Sequence, residues 1–297
     1  MNNQEELPIF LRPVDDGLPM RESGQWARNK LDILARYIRT STIAMQDKPW
    51  RRRFYIDLQA GPGKNYVGEQ LNQVFLGSPL LALTEGAGYT DYRFVELDAT
   101  LANALIQRCD VVDQDATRHI KVVIGDCNQV VYQIVDEINS IDRPPFNSTD
   151  WNCLSLAFLD PEGLELQWET VLKLASLRRT DIVINFSIGG LRRTAGEALE
   201  SPVSPIGERV DRFFGSHDWS QIPLHSDGSM PAYEWIEFYK RRLAAATQPA
   251  YQWGTDISVK NSRGVELYRL LFASKHELGV KLWEDARKNA PIQRSLF

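Results

Sequence analysis

The chain has three cysteines among 297 residues, Cys109, Cys127 and Cys153, and they form no CxxC pair. Its four histidines show no metal-ligand spacing, so neither a structural zinc framework nor a disulfide scaffold is expected. An odd cysteine count with no secretory leader fits reduced thiols. No apolar run approaches the ~18 residues of a membrane span. The opening MNNQEELPIFLRPVDDG has no basic-then-apolar signal pattern. A cytoplasmic protein without a membrane partner is the expectation. Phosphate-binding motifs are also missing. There is no GxxxxGK[ST] loop, and the turn Gly61-Pro62-Gly63 has Tyr66 where a dinucleotide fingerprint needs its third glycine. A net charge of −5 argues against coating of nucleic acid, while leaving room for a local basic groove.

What the chain does contain is an ordinary globular composition, 43% apolar and 25% charged. Residues 1 to about 22 read as a polar, proline-containing arm. Ser23 is placed to cap a helix from Gln25 to Met45, in which Trp26, Lys30, Ile33 and Tyr37 follow one stripe and Ala27, Leu31, Leu34 and Ile38 the next. Buried strands are expected at 54–58, 92–97, 120–125, 153–159 and 181–187, with helices at 79–85, 100–108, 129–138 and 168–177 between them. Near-continuous apolar strands alternating with helices predict an α/β fold with a doubly wound, mostly parallel sheet. The last third adds helices at 205–214 and 230–246, a strand pair at 252–259 and 265–274, and a closing helix at 275–289. No repeat or linker divides the chain. One domain over 1–297 is expected, with an N-terminal arm and helix (1–50) on a Rossmann-like core (51–297).

Ligands of open α/β sheets sit beyond the carboxyl ends of the strands, where strand order reverses. The first strand delivers Asp57 and Gly61-Pro62-Gly63 there, the second Glu96 and Asp98, the third Asp126, and the fourth Asp160-Pro161-Glu162-Gly163. Asp98, Asp126 and Asp160 are each also good helix caps, and both readings stay open. Carboxylates gathered without a phosphate motif suit a ligand carrying hydroxyls, amines or a cation. S-adenosylmethionine carries all of these.

The stretches DLQAGPG, FVELD, VIGDCN and FLDPEG resemble motifs one to four of class I S-adenosylmethionine-dependent methyltransferases. The chain more closely resembles the three-Cys-motif partner protein family. That likeness is carried by KLDILARYI, GSPLLAL, FLDPEG, RVDRFFG and YRLLFASKH, over roughly residues 26–289. The resemblance implies a seven-stranded sheet with an antiparallel last strand. It implies that Gly61, Pro62 and Gly63 approach the methionine part of the cofactor and that Asp57 holds its ammonium. Glu96 would accept from the ribose hydroxyls and Asp126 from the adenine amine. Asp160, Pro161 and Glu162 resemble the (D/N)PP(Y/F) loop of nucleobase amino-methyltransferases, which implies methyl transfer to an amine, foremost of a nucleobase in RNA or DNA. Two departures bear on this. Glu162 stands where those loops have a base-stacking aromatic residue, and Gln59 stands where the family usually has phenylalanine. The resemblance also implies an alternative, a non-catalytic partner of a three-Cys-motif protein.

Two further features remain. From Ser78 to Glu96 is 18 residues, near the ~20 expected between a turn and its ribose carboxylate, so 64–77 reads as an insertion at the binding edge, either a surface loop or a lid. Ser78 is expected to cap the following helix with Pro79 at its first position. Arg192 and Arg193 follow the fifth strand on the binding edge and would meet a substrate phosphate or carboxylate, or pair structurally. Arg51-Arg52-Arg53 and Arg178-Arg179 precede strands and belong to the opposite edge.

Overall fold

A computed structural model describes residues 7–68, 73–86, 88–111, 118–143, 152–226, 229–261 and 263–288. In chain order the elements are β1 (Arg21–Glu22), α1 (Gln25–Met45), β2 (Arg52–Asp57), β3 (Lys64–Tyr66), β4 (Val74–Leu76), α2 (Ser78–Glu85) and β5 (Asp91–Glu96). They continue with α3 (Ala99–Asp110), β6 (His119–Ile124), α4 (Cys127–Ile141), β7 (Cys153–Leu159), α5 (Trp168–Ala175) and β8 (Thr180–Phe186). Next come α6 (Ile188–Glu200), α7 (Pro205–Phe214), α8 (Ala232–Ala245), β9 (Gln252–Trp253), β10 (Ile257–Lys260), β11 (Glu266–Ser274) and α9 (Glu277–Lys288).

The main sheet runs β10-β11-β8-β7-β2-β5-β6, with β9 pairing to β11. The five central crossover strands are parallel, and β11 enters antiparallel between β8 and β10. This is the expected doubly wound, mostly parallel α/β architecture with an antiparallel last strand, except that β9 brings the sheet to eight strands where seven were expected. The chain builds outward from β2 through β5 to β6, then returns to the other side of β2 with β7 and β8. Strand order therefore reverses between β2 and β7, and the crevice beyond their carboxyl ends is the expected ligand position.

Side chains alternate along β2 in the way a sheet buried on both faces requires. Phe54 and Ile56 join a core with Val131, Ile134, Val171 and Phe213, while Tyr55 joins a second core with Tyr92, Phe94, Leu105 and Trp283. The α1 stripe fits into that second core. Tyr37 packs on Phe272 at 4.8 Å and edge-on to Trp283 at 5.8 Å, and its hydroxyl donates to Asp181 at 2.7 Å. Each such fully buried aromatic contributes about 1.5–3 kcal/mol. Trp219 and Trp235 are wholly buried and Trp168 nearly so, all three in the core.

Several local expectations are corrected. The stretch after β8 forms the helix α6, started by Ser187 accepting from the Gly190 amide at 3.1 Å. The strand expected at 252–259 is interrupted, giving separate β9 and β10. Ser23 does not cap α1; its amide donates to Tyr66 O at 2.9 Å, tying the arm to β3, and Gly24 takes the cap position. Ser78 lies inside α2 with Gly77 as cap, because its side chain turns down beside buried Asp57.

Of the 64–77 insertion, 69–72 lies outside the described residues. Its two arms are β3 and β4, paired antiparallel with Lys64 opposite Leu76 and Tyr66 opposite Val74. β1 from the N-terminal arm adds in parallel to β3. The insertion is thus a hairpin bound to the arm. No helix among the described residues is long and apolar enough to cross a membrane.

Candidate functional site

The turn after β2 needs its glycines. Gly61 and Gly63 have φ of +62° and +87°, which L side chains rarely adopt. A Cβ on Gly63 would also stand 2.9 Å from Leu105. The turn is pinned from several directions. Gly61 N–H donates to Glu96 Oε2 at 2.8 Å, Gly77 N–H to Gly63 O at 2.7 Å, and the buried Arg108 guanidinium to Pro62 O at 2.6 Å.

Arg108 also pairs with Asp16 at 2.6 Å, and Asp16 pairs with Lys64 at 2.7 Å, all three side chains having no exposure. Burial alone would raise the Asp16 carboxyl, but hydrogen bonds from Arg108 and Lys64 outweigh it and hold the group below its usual range. The N-terminal arm is locked by this charge cluster onto both the turn and the hairpin. Sequence reasoning left the arm without a role.

A cleft of about 1660 Å³ opens beyond the reversal point. Its walls are the start of α1, the glycine turn, the β3–β4 hairpin, the Asp160 loop and the β10–β11 hairpin. Gly61, Pro62, Gly63, Asp160, Pro161 and Glu162 all line it. Asp160 is the most heavily coordinated of these. Both its oxygens accept from Lys30 Nζ, at 2.5 and 2.6 Å, and Oδ1 accepts from Asn185 Nδ2 at 2.7 Å. Its backbone N–H donates to Gln59 Oε1 at 3.1 Å, while Gln59 Nε2 donates to Cys127 Sγ at 3.2 Å. The departure from phenylalanine at 59 thus has a structural use: the amide joins the β2 turn to the Asp160 loop and to α4.

Two buried acceptor atoms near the strand reversal have no hydrogen-bond partner among the described residues: Asn185 Oδ1, of a residue that lines the cleft, and Asp57 Oδ2, of a residue at the end of β2 that does not. Asp57 is fully buried, and burial raises its carboxyl to about 7, opposed by the nearby Ser78 side chain. A buried acceptor left alone carries a cost that a ligand donor or cation removes.

The remaining predicted residues sit farther out. Glu96 spends both oxygens on the amides of Gly61 and Asp98, with Arg21 at 3.7 Å. Asp126 caps α4 by accepting from Asn128 N–H at 2.9 Å, and Asp98 caps α3 by accepting from Thr100 N–H at 2.7 Å. Exposed Leu97 and Ile124 lie at this end of β5 and β6 as apolar surface beside Glu96 and Asp126. Glu162 projects into solvent and pairs with Arg21 at 2.9 Å. Arg192 and Arg193 are exposed on α6 and do not line the cleft; Arg192 donates to Glu266 O at 3.1 Å.

Lys30, Asn185, Arg21 and Tyr268 are the cleft residues that sequence reasoning missed. For Lys30 a signal existed, as a charged residue in the buried stripe of α1, and for Asn185 a polar side chain in the otherwise apolar end of β8.

The residues fit S-adenosylmethionine in type. The turn offers close backbone approach, Asp57 Oδ2 offers an unused carboxylate oxygen for an ammonium, and the Glu96–Asp126 end combines carboxylates with apolar surface.

No family profile matches the chain. A MEMO1 family protein of Methanopyrus kandleri is 42% identical over 48 residues, 16% of this chain and 17% of that protein. Among solved structures, the chain is similar to protein LPL1258 from Legionella pneumophila (12% identity, 90% of this chain and 92% of that one, TM-score 0.48). It is similar to Trm1 from Pyrococcus horikoshii, solved in complex with S-adenosyl-L-methionine (10% identity, 87% of this chain, TM-score 0.46), and spans 58% of that protein. It is also similar to an O-methyltransferase from Bacillus cereus in complex with SAH (14% identity, 86% and 84% coverage, TM-score 0.39).

Proposed function

We propose that the chain is an S-adenosylmethionine-dependent methyltransferase acting on an amine, with a nucleobase of RNA or DNA as the leading acceptor. The observation that carries this reading is the pairing of a positive-φ glycine turn and a buried, unpartnered Asp57 oxygen with a cleft-facing Asp160, on either side of the strand reversal. S-adenosylmethionine would supply an electrophilic methyl group. Asp57 would hold its ammonium, Gly61, Pro62 and Gly63 would admit its methionine part, Glu96 would accept from its ribose and Asp126 from its adenine amine.

The chain's own work at the acceptor end falls to Asp160. A carboxylate there accepts an N–H of the amine, which keeps the nitrogen lone pair turned toward the donor, an effect of positioning above all. Pro161 shapes the loop that presents it. The proton released when the amine is methylated can pass to Asp160 or to water. Lys30 holds that carboxylate in the absence of acceptor, so acceptor binding exchanges one amine for another. Arg192 and Arg193, exposed on α6, would reach only a substrate long enough to leave the cleft, such as a polynucleotide. A cytoplasmic setting fits such a substrate.

The test is transfer of labelled methyl from S-adenosylmethionine to cellular RNA, DNA or protein. Label that appears with the native chain and disappears with Asp160→Asn is the expected result; equal labelling by both would remove Asp160 from the chemistry. A second reading is favoured by two cations, Arg21 of the arm and Lys30 of α1, which already engage Glu96, Glu162 and Asp160. On that reading the chain is a non-catalytic partner of a three-Cys-motif protein, and label would never transfer with or without that protein.

A further inference from the structure

The acceptor loop Asp160-Pro161-Glu162-Gly163 lacks the aromatic residue on which a nucleobase would stack, and exposed Glu162 fills that position. The fold supplies a ring from elsewhere. Tyr268 of β11 is half-buried, lines the cleft, and directs its hydroxyl to Glu162 O at 3.5 Å. Lys30 Nζ, while held by both oxygens of Asp160, lies 5.9 Å from the centroid of the Tyr268 ring. One point in space is therefore hydrogen-bonded to the acceptor carboxylate and beside an accessible phenol.

We infer that Tyr268, Asp160 and Asn185 form a subsite for a planar amino-heterocycle, with the Lys30 ammonium marking the place of its exocyclic amine. The inference rests on the methyltransferase reading and names how that site recognises its substrate.

Three features support it. A ring lying offset on the phenol, with centroids about 4.5 Å apart or more, carries a substituent out to the distance at which Lys30 Nζ stands. Asn185 is 1% exposed, gives Nδ2 to Asp160, and leaves Oδ1 without a partner among the described residues. An exocyclic amine at the Lys30 Nζ position has two N–H donors for the two Asp160 oxygens that Lys30 bonds now, and Asn185 acts there through Nδ2, which orients that carboxylate. An alkyl ammonium such as Lys30 meets the charge requirement of Asp160 and stands over the Tyr268 ring at 5.9 Å, but a single nitrogen covers less of that face than a planar ring does. The face is usable because stacking on an aromatic side chain is indifferent to which base is presented.

The lost aromatic of the acceptor loop is thus replaced in space by a residue more than a hundred positions later, on the antiparallel hairpin that closes the cleft.

The experiment uses the full chain, saturated with S-adenosylmethionine, and a single-stranded oligonucleotide carrying 2-aminopurine, whose fluorescence is quenched on stacking. Tyr268→Phe is expected to quench like the native chain. Tyr268→Leu is expected to bind the probe about tenfold more weakly, with its affinity for S-adenosylmethionine and its unfolding midpoint unchanged. Asn185→Leu is expected to weaken the probe without abolishing the quench. Quenching by Tyr268→Leu at native affinity would overturn the inference, as would no quenching by the donor-saturated native chain. Failure of the native chain to bind S-adenosylmethionine at all would overturn the methyltransferase reading first, and calorimetry on the same sample separates the two failures.

Discussion

The carboxylates at the strand ends divide into two groups with different fates. On β5 and β6, Asp98 and Asp126 stand immediately before helices and spend their oxygens on the first-turn amides of α3 and α4. At the reversal point, Asp57 and Asp160 have no helix to start. Asp57 is buried with one oxygen unpartnered, and Asp160 is held by side chains from α1 and β8. A carboxylate next to a helix start has a use within its own segment. One without such a use either costs stability or serves a ligand, which is why the second group marks the site.

The largest effect that tests this difference is expected at Asp57. Its carboxyl is raised from 3.8 to about 7, so the folded chain binds a proton that the unfolded chain releases. That contribution is complete below the unfolded value and is lost as pH rises through about 7. Asp57→Asn, which needs no proton, should gain in stability over the native chain by about 3 kcal/mol between about pH 5 and about pH 8. Denaturant unfolding of both forms across that range measures it; a gap that stays constant would mean the group is not buried alone.

Asp160→Asn comes next. Methyl transfer should fall by about a hundredfold, while calorimetric affinity for the donor stays within a few-fold. Loss of both together would assign Asp160 to the cofactor and not to the acceptor.

The smallest effects concern the caps. Asp98→Ala and Asp126→Ala should each cost about 1 kcal/mol in thermal or chemical unfolding, the usual loss of a capping side chain. They should differ in one respect, since Asp126→Ala also weakens S-adenosylmethionine binding while Asp98→Ala leaves it unchanged. Equal donor affinity in the two variants would reduce Asp126 to a cap.

Much of this was readable in the sequence because its causes are local. The apolar stripe gives α1 its bounds at Gln25 and Met45, and runs of branched and aromatic residues place β2, β5, β6, β7 and β8 to within two residues, although β6, at the sheet edge, is not buried as expected. The glycine turn declares itself through residues that alone tolerate positive φ. What was not readable depends on distant contacts. Lys30 and Asp160 are 130 positions apart, and Asp16 reaches Arg108 across 92. A lysine in a buried stripe signals that some anion awaits it, without saying which. The insertion's strands were hidden because β3 and β4 are short and gain their order from pairing with the arm, a partner supplied by tertiary structure. Gln59 read as a departure from a family pattern and proved to be a brace between two loops, visible only once Asp160 and Cys127 are placed beside it.

The most direct test of the account is calorimetric titration of the full chain with S-adenosylmethionine at several pH values. Saturable binding of one donor per chain is expected, weakening about tenfold for each pH unit below about 7 as Asp57 takes up its proton, with that slope lost in Asp57→Asn. Absence of binding to both S-adenosylmethionine and its demethylated product, across the whole range, would contradict it.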